Sequence, residues 1–223
     1  MSNNLNHVKV EIILPNYNSE AYLEETIKSV INQAFKDWRL TIVDGNSNIA
    51  TQEILKKYID YKYINIIKLK KNKKAGFCRN YAIRNSKSDY IAFIDSDDVW
   101  EKEKLSKQLD FMIKNKYYFT YTNYQPFISD KKEKNLKEIV PEKSFTFEKF
   151  TRNTSIATST MIINKSSIGT KKFSNTKICE DYFFKCEILK KVGFAYCLPE
   201  NLMKYRIGKD SLQSNKMRNL YWI

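Results

Sequence analysis

The sequence contains one histidine, His7, set in a polar N-terminal stretch of the kind that frays. That scarcity argues against a Ser-His-Asp or Cys-His catalytic device and against a histidine-rich metal cage. Its four cysteines, Cys78, Cys179, Cys186 and Cys197, form no C-x-x-C pair, so structural zinc is not expected. Four cysteines in 223 residues are also too few for a disulfide scaffold, and reduced thiols in a cytosolic compartment are expected. No apolar run approaches the roughly 18 to 20 residues of a membrane-spanning helix. The N-terminus lacks the charged-then-apolar pattern of a signal peptide. The expected location is the cytoplasm, either free or peripheral on the inner face of the membrane. Acidic residues are outnumbered, 25 against 39 Lys and Arg, leaving a net charge of +14. Such a surface suits anionic partners: nucleic acid, acidic lipid headgroups or phosphorylated small molecules.

What is present is enough to fold. Hydrophobic residues make up 42% and aromatics 14%, too rich for a disordered chain, and the length suits one domain. The first half alternates apolar runs with amphipathic stretches. Strands are predicted at residues 8–14, 38–43, 63–69, 90–94 and 117–121. Helices are predicted at 19–34, 51–58, 76–85 and 101–114. In the first helix Leu23, Ile27, Val30, Ile31 and Ala34 share a face, and Asn18 or Ser19 can cap it. This βα rhythm predicts a mostly parallel sheet with helices on both faces. Residues 129–144 are polar and charged and read as an exposed excursion. Beyond them the pattern is less regular α+β: a strand at 158–163, a helix at 180–191, and strands at 194–197 and 202–206.

In such sheets ligands bind beyond the carboxyl ends of the strands. Three predicted strands run into polar groups there: Pro15-Asn16-Tyr17-Asn18, Asp44-Gly45-Asn46-Ser47 and Asp95-Ser96-Asp97-Asp98. Three carboxylates within four residues repel one another unless a cation or hydrogen-bond donors sit among them. Hard oxygen ligands of this kind suit Mg²⁺ or Mn²⁺, which commonly bridges to a diphosphate. The same residues could instead form a turn that caps the following helix. Asp44 could accept a hydrogen bond from a base or ribose, although Asp-Gly-Asn-Ser is also good turn chemistry. Tyr17 could stack on a base. Residues 68–87 carry eight cationic side chains and no acidic one, with Arg79 facing the same edge.

The segments VEIILPNYNSEAYLEETIKSVINQAFKDWRLTIVDGNS and CRNYAIRNSKSDYIAFIDSDDVWEKEKLSKQL resemble glycosyltransferase family 2. TSTMII, CEDYFFKCEIL and YRIGKDSLQSNK resemble later elements of its bacterial branch, so the resemblance runs from about residue 8 to 216. It implies a GT-A fold, Rossmann-like and α/β, as a single domain over residues 1–223. Residues 8–125 would form the nucleotide-sugar half and 126–223 the acceptor half with its C-terminal segment. It implies an inverting, metal-dependent transfer of sugar from a nucleotide-sugar, usually a UDP-sugar, to a glycan or lipid-linked glycan.

Carried over residue by residue, Pro15, Tyr17 and Asp44 frame the base. Arg79 lies near the ribose and diphosphate, with Asp95 and Ser96 on the donor side. Asp97 holds Mn²⁺ or Mg²⁺, assisted by Asp98. Asp181 is the general base. Arg206 and Ser211 lie in a stretch that closes over the diphosphate. The chain departs from the family pattern at Asp44-Gly45, where two aspartates are usual. It departs again at Lys74 and Cys78, which replace a glycine and an alanine. Anionic membrane is a further expected partner, through the basic and aromatic residues 204–222. Nucleic acid is not expected, because the acidic cluster would repel a polyanion. The alternative readings are nucleotidyl transfer and a non-catalytic basic protein that binds nucleotides or nucleic acid.

Overall fold

The computed structural model describes residues 9–129, 134–176 and 179–207. Four strands open the fold: β1 (Val10–Asn16), β2 (Trp38–Asp44), β3 (Ile64–Lys68) and β4 (Tyr90–Phe93). They pair in parallel in the order β3-β2-β1-β4. Helices α1 (Leu23–Ile31), α2 (Ile49–Lys56) and α3 (Ala75–Asn85) connect them. β1 is buried along its whole length because both of its faces are covered. Its alternation divides the core: Ile13 enters one hydrophobic cluster, and Ile12 and Leu14 enter the other. Pro15 is tolerated in this central strand because β4 stops pairing at Ile13↔Phe93, two residues earlier.

The second half completes a ten-stranded sheet. After β4 come β5 (Val99–Trp100), α4 (Lys104–Asn115) and β6 (Phe119–Ile128), the last longer than the sequence pattern predicts. β6 does not lie beside β4. Between them runs β9 (Ile162–Asn164), antiparallel to both. The strand expected at 158–163 starts as a 3₁₀ turn, Thr158–Thr160, before β9 begins. The two strands expected near the end form one, β10 (Ala195–Arg206), parallel to β6 and bulged twice. The first bulge passes over Pro199 and Glu200, which have no partner in the register.

The supposed excursion at 129–144 folds back where it is described. β7 (Lys134–Asn135) pairs with β6, Ile139 bridges to Tyr124, and β8 (Ser144–Phe145) pairs with β10. Helices α5 (Phe147–Arg152), α6 (Lys165–Ile168) and α7 (Glu180–Val192) pack around this half. Among the described residues no helix is long and apolar enough to cross a membrane. His7, Ser211 and most of the basic, aromatic tail lie outside the described residues.

Candidate active site

The carboxyl ends of β1, β2 and β4 bring the three polar clusters to one edge. At the first two, the loops are tied together through Asp44, which is wholly buried. Its Oδ1 accepts from Asn16 Nδ2 at 2.6 Å and from the Ser47 hydroxyl at 2.5 Å. Its Oδ2 accepts from Gln52 Nε2 at 2.6 Å and from the Ser47 N–H at 3.1 Å. With four donors, Asp44 organises this turn rather than lying open to a base. Asn18, expected as a helix cap, sits at φ 48° and uses its Oδ1 to accept the Asn48 N–H at 2.8 Å. Ser19, the other expected cap, donates to Asn16 Oδ1, and α1 starts only at Leu23. Gly45 is needed for close approach, since a Cβ there would lie 2.8 Å from the Lys73 carbonyl oxygen. Tyr17 is exposed on the loop after β1, and Pro15 is buried beside Val43 of β2.

The acidic loop after β4 separates its members. Asp98 is buried: its Oδ2 accepts from the Ser159 hydroxyl at 2.5 Å and its Oδ1 from the Arg206 N–H at 3.0 Å. Burial, then Asp97 and Asp95, raise its pKa. Asp98 is therefore engaged as a structural acceptor, whereas the family resemblance implies that it assists Asp97 at the metal. Asp97 is partly exposed, and no side chain of the described residues donates to its carboxylate. Burial and the Asp95 carboxylate push its pKa up to about 6. Ser96 is half-buried. The Asp95 N–H donates to Ser159 Oγ at 2.9 Å, so one hydroxyl anchors both ends of the loop.

Arg79 is buried on α3, as the spacing of that helix dictates. Its Nη2 lies 2.5 Å from Asp95 Oδ1 and its Nη1 lies 2.9 Å from Glu180 Oε1. The guanidinium also stands over the Phe173 ring, 5.1 Å from its centre. Burial opposes its charge, but Asp95, Glu180 and Asp181 outweigh that and raise its pKa. Both terminal nitrogens thus hold carboxylates. Arg206 was likewise expected at the diphosphate. It is buried, donates from Nε to the Asp97 carbonyl at 2.8 Å, and is sandwiched between Tyr22 and Phe127. Its role here is to clamp the acidic loop to β10.

Asp181 opens α7. Its Oδ2 accepts from the Thr158 hydroxyl at 2.8 Å and from Lys185 Nζ at 2.7 Å. Among the described residues nothing donates to its Oδ1, and its side chain is 32% exposed. Burial works against its charge, but Lys185, Arg79 and the Thr158 hydroxyl hold its carboxyl well below the usual carboxylate range.

Comparison with known proteins decides the family. The model of glycosyl transferase family 2 matches residues 11–175. This chain is a family 2 glycosyltransferase. Bacillus subtilis TuaG, a glycosyltransferase named for teichuronic acid biosynthesis, is 35% identical over 94% of this chain and 83% of its own length. Escherichia coli WfgD, named as a UDP-Glc:alpha-D-GlcNAc-diphosphoundecaprenol beta-1,3-glucosyltransferase, is 31% identical over 95% of this chain and 82% of its own. The crystal structure of S. aureus TarS in complex with UDP-GlcNAc superimposes with a TM-score of 0.78 at 21% identity. It covers 93% of this chain, which spans 61% of the TarS chain, and it bears out the GT-A architecture. Family membership sets aside both the nucleotidyl-transfer reading and the non-catalytic one.

In this glycosyltransferase the sequence reasoning missed five side chains that build the site. Asn16, Ser159 and Thr158 sit in short polar stretches with no spacing signal of their own. Glu180 reads as a helix-start acid and Lys185 as an ordinary helix lysine. Their roles depend on partners far along the chain. Among the described residues no group of three or more His, Cys, Asp or Glu side chains is arranged to hold a metal by itself.

Proposed function

We propose that this glycosyltransferase moves a sugar, with inversion, from a UDP-sugar to a hydroxyl of a lipid-linked glycan. The observation that carries the reading is the Arg79 bridge. It joins Asp95, at the strand edge where nucleotides bind in such sheets, to Glu180, whose neighbour Asp181 has one carboxylate oxygen that no donor among the described residues engages. A donor-side acidic loop and an acceptor-side carboxylate meet around one guanidinium. The UDP-GlcNAc bound by TarS and the diphosphoundecaprenol substrate in the WfgD name support the same reading.

A divalent cation, Mn²⁺ or Mg²⁺, fits the acidic loop. Asp97 is crowded by Asp95 and by burial, a strain that a cation relieves. Asp97, helped by the Asp95 oxygen turned from Arg79, would hold it, and such ions routinely complete their shell with waters and phosphate oxygens. When bound it supplies neutralisation of the charge growing on the leaving diphosphate. The remaining work falls to the chain. Tyr17 stacks on the base, over a loop kept in shape by Pro15 and Asp44. Ser96 lies on the donor side of the acidic loop. The exposed Lys70, Lys71, Lys73 and Lys74 precede α3 and attract the diphosphate. Asp181 Oδ1 takes the acceptor proton as that oxygen attacks the anomeric carbon, and a single displacement inverts the centre. The positive surface favours approach to an anionic membrane that holds the acceptor.

The test is calorimetric titration of UDP with and without Mn²⁺, on the wild type, Asp97→Ala and Asp181→Asn. Manganese-dependent binding should vanish in Asp97→Ala and survive in Asp181→Asn, which should lose only transfer. UDP binding in neither condition would remove the uridine assignment. Lost affinity in Asp181→Asn would remove the base assignment.

A further inference from the structure

Among the described residues six lysines form ion pairs with acids three or four positions away, and five of them do so at the surface. Lys28 with Glu24 and Lys114 with Asp110 are examples in which the lysine is 61% exposed. Pairs of that kind contribute little. Lys185 with Asp181 is different, because the lysine side chain is only 4% exposed while the carboxylate is 32% exposed. The ammonium lies beneath the acid and away from water. Its second hydrogen bond, 2.7 Å to the Ile156 carbonyl, fixes it from the segment leading to the 3₁₀ turn. The Thr158 hydroxyl, from that turn, reaches the same Oδ2. Three groups from two separate chain segments therefore determine how the Asp181 carboxylate is rotated.

We propose that Lys185 is a positioning residue for Asp181: with Thr158 it holds Oδ2, so that Oδ1 alone is presented to the acceptor hydroxyl. The inference rests on reading Asp181 as the general base. Burying an ammonium costs several kcal/mol unless it is paired, so a lysine here is a poor choice for stability alone. Its gain is a carboxylate held in one orientation, and a small misplacement of a reacting group costs about 100-fold in rate. The charged and titratable groups facing Asp181 are Lys185 on its own helix, Arg79 on α3, and Glu180 and Cys179 beside it. The two cations outweigh burial, so the base stays ionised well into the acid range.

The test reads the carboxylate directly. The ¹³C carboxyl resonance of Asp181, assigned by its loss in Asp181→Asn, is followed with pH in the wild type, Lys185→Met and Lys185→Arg. UDP titration in each variant checks that the donor side is intact. The wild-type resonance should stay at its ionised position down to about pH 4, whereas Lys185→Met should show an inflection at or above the ordinary carboxylate range. Lys185→Arg should restore much of the wild-type curve. The kcat for transfer in Lys185→Met should fall about 100-fold with the donor KM unchanged. An unchanged titration curve in a UDP-binding Lys185→Met overturns the role of Lys185. Transfer that survives Asp181→Asn overturns the base reading itself, so the two failures are distinct. If Lys185→Met does not fold, Thr158→Val removes the second donor to Oδ2 without removing charge. It should shift the resonance the same way by a smaller amount, and no shift there overturns the proposal.

Discussion

Arg79 Nη1 donates to Glu180 Oε1 at 2.9 Å across 101 positions of sequence. The first residue comes from the regular parallel half, and the second starts the helix that presents Asp181. The guanidinium also holds Asp95 at the end of β4. One buried cation thus sets the spacing between the acidic loop and the carboxylate that would take the acceptor proton.

Removing that cation should be costly. Arg79→Met leaves Asp95 and Glu180 facing each other with no counter-charge. A loss of about 3 kcal/mol in urea denaturation is expected, the low end for breaking such a pair because both acids reach water. Adding Glu180→Gln should recover part of it, giving a non-additive double-mutant cycle. Additive effects would show that the two do not interact.

The neighbours Asp97 and Asp98 should separate cleanly. Asp98→Ala strands the Arg206 N–H and the Ser159 hydroxyl without an acceptor, at a cost of about 3 kcal/mol. Asp97→Ala removes no hydrogen bond received from another side chain, and because burial and Asp95 disfavour the Asp97 charge, the metal-free variant should be at least as stable as wild type at about pH 7. Thermal or urea melts of the two proteins decide this, and the reverse ranking would contradict the burial assigned to Asp98.

Lys104 makes stability depend on pH. It is fully buried, donates to Gln108 Oε1 at 2.8 Å, and lies 4.3 Å from the centre of the Trp100 ring. Burial lowers its pKa from 10.5 to about 7. The unfolded chain therefore takes up a proton first as pH falls from 10.5, and folding stability drops until pH 7, below which both states are protonated. Lys104→Met should raise stability most at or below pH 7, and the gain should shrink as pH rises toward 10.5. Urea midpoints of both proteins across that window measure it. A constant difference would show that the lysine keeps its charge when folded.

Gly76 lies in the first turn of α3, where a Cβ would stand 2.8 Å from the Ser174 carbonyl oxygen and 3.0 Å from Glu180 Cγ. A backbone oxygen cannot swing aside, so Gly76→Ala should push residue 174 and Glu180 away from Arg79. A loss of about 1 to 3 kcal/mol is expected despite the better helix propensity of alanine. A stabilised variant would mean that the segment before α7 gives way freely.

The sequence alone determined the α/β alternation of the first half, because each strand and helix there carries its own period of burial. It also determined that polar clusters follow β1, β2 and β4 at one edge, and it carried the family resemblance. Local pattern could not show that β9 inserts antiparallel between β4 and β6, or that β10 is one bulged strand, since pairing partners far apart decide both. Nor could it distinguish the aspartates of the acidic loop. Asp97 and Asp98 are adjacent and chemically identical, but Ser159 and the Arg206 N–H, 61 and 108 positions away, take Asp98 out of solvent. Arg79 reads as a phosphate ligand because it opens toward the nucleotide edge, and the family resemblance places Arg206 near the diphosphate. Tertiary packing turned both inward, where carboxylates, a carbonyl and aromatic faces hold the buried guanidinium groups, although Arg79 Nε finds no partner among the described residues.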